Sequence, residues 1–209
     1  MRCAARRVLT AAPVTIACLA LIVTLPGTAG LEVPLSQDGI ERALIVGRAF
    51  DAERARFHRP YLISLNDATV EQIEVITEFR RVVLLQEDRI RHGDHMFGLR
   101  QAEDALAPWR RRLTLVTRLR FHPLNTYVAA PLFEIAIGTP PMIALDVRRT
   151  ILYAAQGEHP RRGASIPLAG AVVEADFEAA SIGQTSRVVR VALDDKDVIR
   201  TTIDFSRLQ

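Results

Sequence analysis

Cysteine occurs only at positions 3 and 18, so residues 31–209 contain none. An internal disulfide, a thiol nucleophile and a thiolate metal site are thereby excluded from the body of the chain, whose stability must come from burial. Lysine is almost missing too: Lys196 is the only one, and every other basic side chain is arginine. No glycine-rich phosphate loop is present, since Gly157 and Gly163 lack the spacing of a nucleotide fingerprint. Ser36, Ser64, Ser165, Ser181, Ser186 and Ser206 lack a glycine-flanked elbow. Nucleophilic catalysis therefore finds no motif, and no catalytic residue and no cofactor are expected.

Long apolar runs are also scarce, with one exception. Arg2, Arg6 and Arg7 precede an apolar stretch from Val8 to Leu25, followed by Pro26, Gly27 and the small residues Thr28, Ala29 and Gly30. A basic head, an apolar segment, a helix-breaking Pro-Gly and small residues are what an export machine and its peptidase read. Residues 1–30 are therefore expected to be a signal peptide, cut after Ala29 or Gly30, which places residues 31–209 outside the cytoplasm. The chain would then touch a membrane only through the leader, before cleavage. Three alternatives use the same residues. The run from Val8 to Leu25 is long enough to stay as an anchor, Thr15-Ile16-Ala17-Cys18 loosely resembles a lipid-attachment box, and Arg6-Arg7 fits twin-arginine export.

The chain holds 27 basic and 24 acidic side chains. Three of the arginines and none of the acids fall in the leader, so the remainder is formally neutral. Nucleic-acid binding needs a concentrated basic face and is not expected. Residues 31–209 suit one domain.

What remains is dominated by alternation. Ala171, Val173, Ala175 and Phe177 interleave with Val172, Glu174, Asp176 and Glu178, which is a half-buried strand. Segments 187–193 and 199–205 repeat the pattern, and their short polar links predict a three-stranded antiparallel meander. Leu113 to Phe121, Phe133 to Ile137 and Ile143 to Val147 add three strands; Arg42 to Ala49, Tyr61 to Leu65 and Ile73 to Thr77 bring the candidates to nine. The segment from Ala155 to Ser165 reads as a loop. Phe79, Val82, Val83, Gln86 and Ile90 follow a helical period closed by Gly93-Asp94, and Leu99, Ala102 and Leu106 suggest a second helix. The expected fold is mainly β: an antiparallel two-layer sandwich-like domain with a two-helix insertion over about residues 79–107 that covers a sheet edge.

Three clusters carry possible chemistry. His92, Asp94 and His95, with Glu87 and Asp88 nearby, offer two imidazoles and three carboxylates, a possible metal set for an exported hydrolase. Gly93 ends the helix between the histidines, however, and a solvated helix end explains the same residues. His122, Asn125 and Tyr127 follow a strand end and could line a polar pocket, although turn chemistry accounts for each of them. Arg118 and Arg120, with Arg112, face outward from one strand and suit an acidic ligand. Glu74, Glu78, Glu174, Asp176 and Glu178 are the acids that could neutralise them across strands. The expected function is a non-catalytic binding or envelope-structural module, with an unknown ligand or envelope partner; a metal-dependent hydrolase using the His92/His95 region is the alternative.

Overall fold

The computed structural model describes residues 30–125, 127, 129–154, 168–193 and 195–209. The expected leader, apart from Gly30, and the expected loop from Ala155 to Ser165 lie outside the described residues. Strands β1 (Leu62–Ser64), β2 (Val70–Ile76), β3 (Arg112–Arg120), β6 (Leu168–Glu178) and β5 (Asp146–Tyr153) lie side by side in that order in one sheet. A second sheet has the order β4 (Phe133–Ile137), β7 (Ser186–Leu193), β8 (Lys196–Asp204). All neighbours are antiparallel. The domain is thus strand-rich but mixed, because helices α1 (Gln37–Gly47), α2 (Asp51–His58), α3 (Glu78–Arg91), α4 (Leu99–Leu106) and the single turn α5 (Ala179–Ile182) accompany the strands.

The register explains which face is buried. Leu115 stands opposite Val75 on one side and Ala175 on the other. Successive strand side chains point to opposite faces, so Leu113, Leu115 and Leu119 share a face with Val173 and Phe177. These residues join Ile135, Val189, Val191 and Ile203 of the second sheet in one buried apolar cluster. A β-carbon at Gly170, paired with Arg120, would lie 2.2 Å from the Leu119 carbonyl oxygen. Glycine is what lets β6 approach β3 there.

Three expectations need correction. The segment Arg42 to Ala49 is not a strand but lies mostly in α1. Gly39, Ile40, Ala43, Leu44 and Gly47 are buried at helical spacing, and the Ser36 hydroxyl caps the helix by accepting from Gly39 N at 3.1 Å. The three C-terminal strands do not form one meander. After β6 the chain passes through α5 and Gly183 (φ 70°) and enters the other sheet, where β7 pairs with β8 and β4. Seven residues between the strands suffice for that crossing, and alternation carries no record of it. The strand expected from Ile143 starts at Asp146, because Met142 N donates to the Ile137 carbonyl at 2.8 Å and the Pro140-Pro141 corner extends further. Ile143 and Leu145 are left exposed.

The two helices expected within residues 79–107 are α3 and α4, and α3 stops at Gly93 (φ 77°), whose N–H donates to the Ile90 carbonyl. The expected covering of a sheet edge is not what they do: Arg80 and Arg81 of α3 reach the inner strands β2 and β3, whereas the edges are β1 and β5. With α1 the two helices enclose a second apolar cluster of Ile40, Leu44, Phe79, Val83, Ala102 and Leu106, among others. One strap, residues 30–35, links the clusters: Leu31 is buried in the sheet cluster and Leu35 in the helical one.

Candidate functional site

Two buried carboxylates lie at the seam between the helical layer and the five-stranded sheet. Asp176 lies on the face of β6 opposite Phe177 and is nonetheless inaccessible to solvent. Its oxygens accept from Thr114 Oγ1 at 2.6 Å and from two Arg148 nitrogens at 2.8 and 3.1 Å, with Arg112 at 3.5 Å. Arg81, reaching from α3, donates to Thr114 Oγ1 at 2.7 Å and lies over the Trp109 ring at 3.9 Å; Arg148 stands 5.1 Å from the same ring. Burial works to raise the Asp176 carboxyl, but hydrogen bonds from Arg148 and Thr114 and the charges of Arg148 and Arg81 outweigh it, holding the group below the ordinary aspartate value. Burial pushes the Arg81 guanidinium down to about 10.

The second carboxylate is Glu78. Expected to point outward from a strand, it is instead the first residue of α3 and is buried, because the strand ends at Ile76 and Thr77 caps the helix. It accepts from Leu35 N at 3.0 Å and Arg111 N at 2.6 Å and pairs with Arg110 at 3.1 Å. Those bonds hold Arg111 in the left-handed region (φ 60°), where the chain bends into β3.

A third polar centre was not anticipated in this role. His58 Nε2 meets Glu87 Oε1 at 2.7 Å, and Arg80 Nε donates to His58 Nδ1 at 3.3 Å. Since Nδ1 accepts, the hydrogen on this ring is assigned to Nε2, pointing at Glu87. Arg80 is itself buried, donates to the Val75 carbonyl and pairs with Glu74, each at 2.5 Å. Beside Glu87 an open cavity of about 380 Å³ is lined by Asp51, Arg54, Ile90 and Arg91. The Phe57-His58 pair was visible in the sequence only as an echo of Phe121-His122; the partner Glu87 is 29 residues away, and only the packing of α2 beside α3 unites them.

The residues singled out from the sequence fall in two places. His92 is exposed at the C-terminus of α3, and its Nδ1 lies 2.8 Å from the Asp88 carbonyl. Asp94 accepts from Met96 N at 3.1 Å, and His95 is exposed. Among the described residues no group of three or more histidine, aspartate or glutamate side chains is arranged to hold a metal ion. Arg118, Arg120, His122, Asn125 and Tyr127 are brought to one end of β3. Asn125 Nδ2 donates to the carbonyls of His122 (2.7 Å) and Leu168 (2.9 Å), Leu124 N donates to His122 Nδ1, and the Tyr127 ring stands edge-on to Phe121. Arg120 pairs with Glu71 at 2.7 Å. Arg118 is exposed beside Gln72, Glu74, Val116 and Val172, and the Glu74 carboxylate there pairs with Arg80.

Comparison of the chain with protein-family models, with curated proteins and with solved structures finds no match.

Proposed function

We propose that the protein is an exported, non-catalytic binding or envelope-structural module, a two-layer sandwich-like domain backed by helices, which meets its ligand or envelope partner at the Arg118 end of β3. The observation that carries this reading is where the buried charges are used. Asp176 turns its oxygens to Thr114 and Arg148 within the sheet, Glu78 and Arg80 tie α3 to the strap and to β2, and Glu87, which borders the cavity, meets His58 Nε2. A catalytic acid or base has to face the space its substrate enters. The outward arginine and the turn of His122, Asn125 and Tyr127 instead offer a fixed polar surface, where a guanidinium can fork onto a carboxylate, sulfate or phosphate.

Elemental analysis of protein recovered from the extracytoplasmic fraction tests this reading against its rival. The expected result is a chain starting at Gly30 or Leu31 with no stoichiometric transition metal. Near-stoichiometric zinc, lost in the His92→Ala, His95→Ala double variant, would replace the binding module with a metal-dependent hydrolase.

A further inference from the structure

Helices α2 and α3 wall the open cavity of about 380 Å³, a volume within the range of small-ligand sites, about 300–1,000 Å³. Glu87, Ile90 and Arg91 stand at i, i+3 and i+4 and share one face of α3, while Asp51 and Arg54, at i and i+3, share one face of α2. The Glu87 carboxylate is the fixed point of this lining. Its side chain is 12% exposed, its Oε1 is held by His58 Nε2, and buried Arg80 holds His58 from behind through Nδ1. An imidazole with a single ring hydrogen bonds that carboxylate without neutralising it, and a carboxylate has about four acceptor positions, of which His58 uses one. The two cations of the lining are loosely engaged by comparison. Arg54 pairs with Asp51, and Arg91 stands 3.6 Å from Asp88; both acids are exposed, and such screened pairs exchange partners at little cost.

A simple anion placed in this cavity meets Glu87, and a simple amine meets two guanidiniums. A site rejects ligands through the charges it leaves opposed or unmatched. A molecule that carries an ammonium and a carboxylate on one carbon answers both signs at once, whereas the two ends of a peptide chain stand too far apart to do so. We propose that the cavity is a binding site for a free α-amino acid with an apolar side chain: its ammonium meets Glu87, its carboxylate meets Arg54 and Arg91, and its side chain lies against Ile90. Charge-assisted hydrogen bonds of both signs fix the ligand's orientation. The lining shares no residue with the Arg118 end of β3, so this site stands apart from the surface assigned above.

Thermal unfolding of the purified protein with L-leucine tests the site, beside isoamylamine, which is leucine without its carboxylate, and isocaproate, which is leucine without its ammonium. With each compound at about 10 mM, a rise in Tm of about 2 °C or more is expected for leucine and less than about 0.5 °C for either analogue. Calorimetric titration then reads affinity in two variants. Glu87→Gln keeps an oxygen for His58 and removes the charge; Arg91→Gln alters a side chain that is 71% exposed at the end of α3 and leaves the packing intact. Each should weaken leucine binding about tenfold or more, while Arg118→Gln binds leucine as the native chain does. Absence of a leucine shift, an equal shift with either analogue, or native affinity in Arg91→Gln would overturn the site. A response lost in Arg118→Gln and kept in Arg91→Gln would also overturn it and move the ligand to the Arg118 surface.

Discussion

On the five-stranded sheet Asp176 is sealed from solvent among Thr114, Arg148 and Arg112, whereas on the three-stranded sheet Arg190 stands 3.5 Å from Asp197 and 3.9 Å from Glu134 with all three side chains partly wet. Both are arginine–carboxylate sets on the face away from the shared core. What separates them is the carboxylate: Asp176 is fully buried, with Arg81 of α3 and Trp109 beside its partners Thr114 and Arg148, whereas Asp197 and Glu134 keep 28% and 62% of their side chains exposed. Exposed ion pairs are worth about 0–1 kcal/mol, because water and salt screen them and two long side chains must be ordered. In a buried set the loss of one member strands the remaining polar groups, and that penalty is several times larger.

The largest expected effect is at the buried set. Asp176→Ala removes the acceptor of Thr114 and Arg148 and leaves Arg81 near other cations, and should cost about 3 kcal/mol in urea unfolding at neutral pH. The sign of its pH dependence follows from the lowered carboxyl. A depressed folded value contributes stability that is fully present above the unfolded value, about 3.9, and is lost as pH falls through the folded one. The gap between native protein and variant should therefore narrow in acid; a gap unchanged between neutral pH and pH 3 would show that the charge of Asp176 is immaterial.

At the exposed set, Arg190→Gln should cost about 0.2–1 kcal/mol, and the difference should shrink in molar salt. A loss as large as that of Asp176→Ala would break the contrast between buried and exposed carboxylates. The smallest change is expected inside the shared core, where the Thr117 hydroxyl is buried without a hydrogen-bond partner. Thr117→Val keeps the shape and removes an unsatisfied group, so its unfolding midpoint should stay within about 0.5 kcal/mol of the native value or rise. A fall of 2 kcal/mol, roughly the cost of a lost buried hydrogen bond, would reveal a partner for that hydroxyl.

The strands legible in the sequence are those whose two faces meet different surroundings. Ala171, Val173, Ala175 and Phe177 alternate with polar residues because one side of β6 is core, and all four are buried. Ile203 and Thr202 likewise fall inside and outside as their pattern requires. The α3 face was readable for the same reason. Helix α1 was not, because Ala43-Leu44-Ile45-Val46 is a short apolar run that fits either period, and only the Ser36 cap and the buried Gly39 and Gly47 decide it. Of the polar centres, the outward direction of Asp176 was legible but not its burial, since nothing local to β6 announces that α3 and Trp109 will pack beside its partners. His58 and Glu87 were invisible as a pair, being united only by tertiary packing.

Trp109 is the chain's sole tryptophan, and it lies where the two layers meet, flanked by Arg81 of α3 and Arg148 of β5. Its fluorescence consequently reports on one seam and nothing else. Separation of the helices from the sheet would redden and brighten or quench that single emitter while the peptide circular dichroism held steady, and global unfolding would move both together. The molecule carries its own optical gauge for whether its layers part before its strands do.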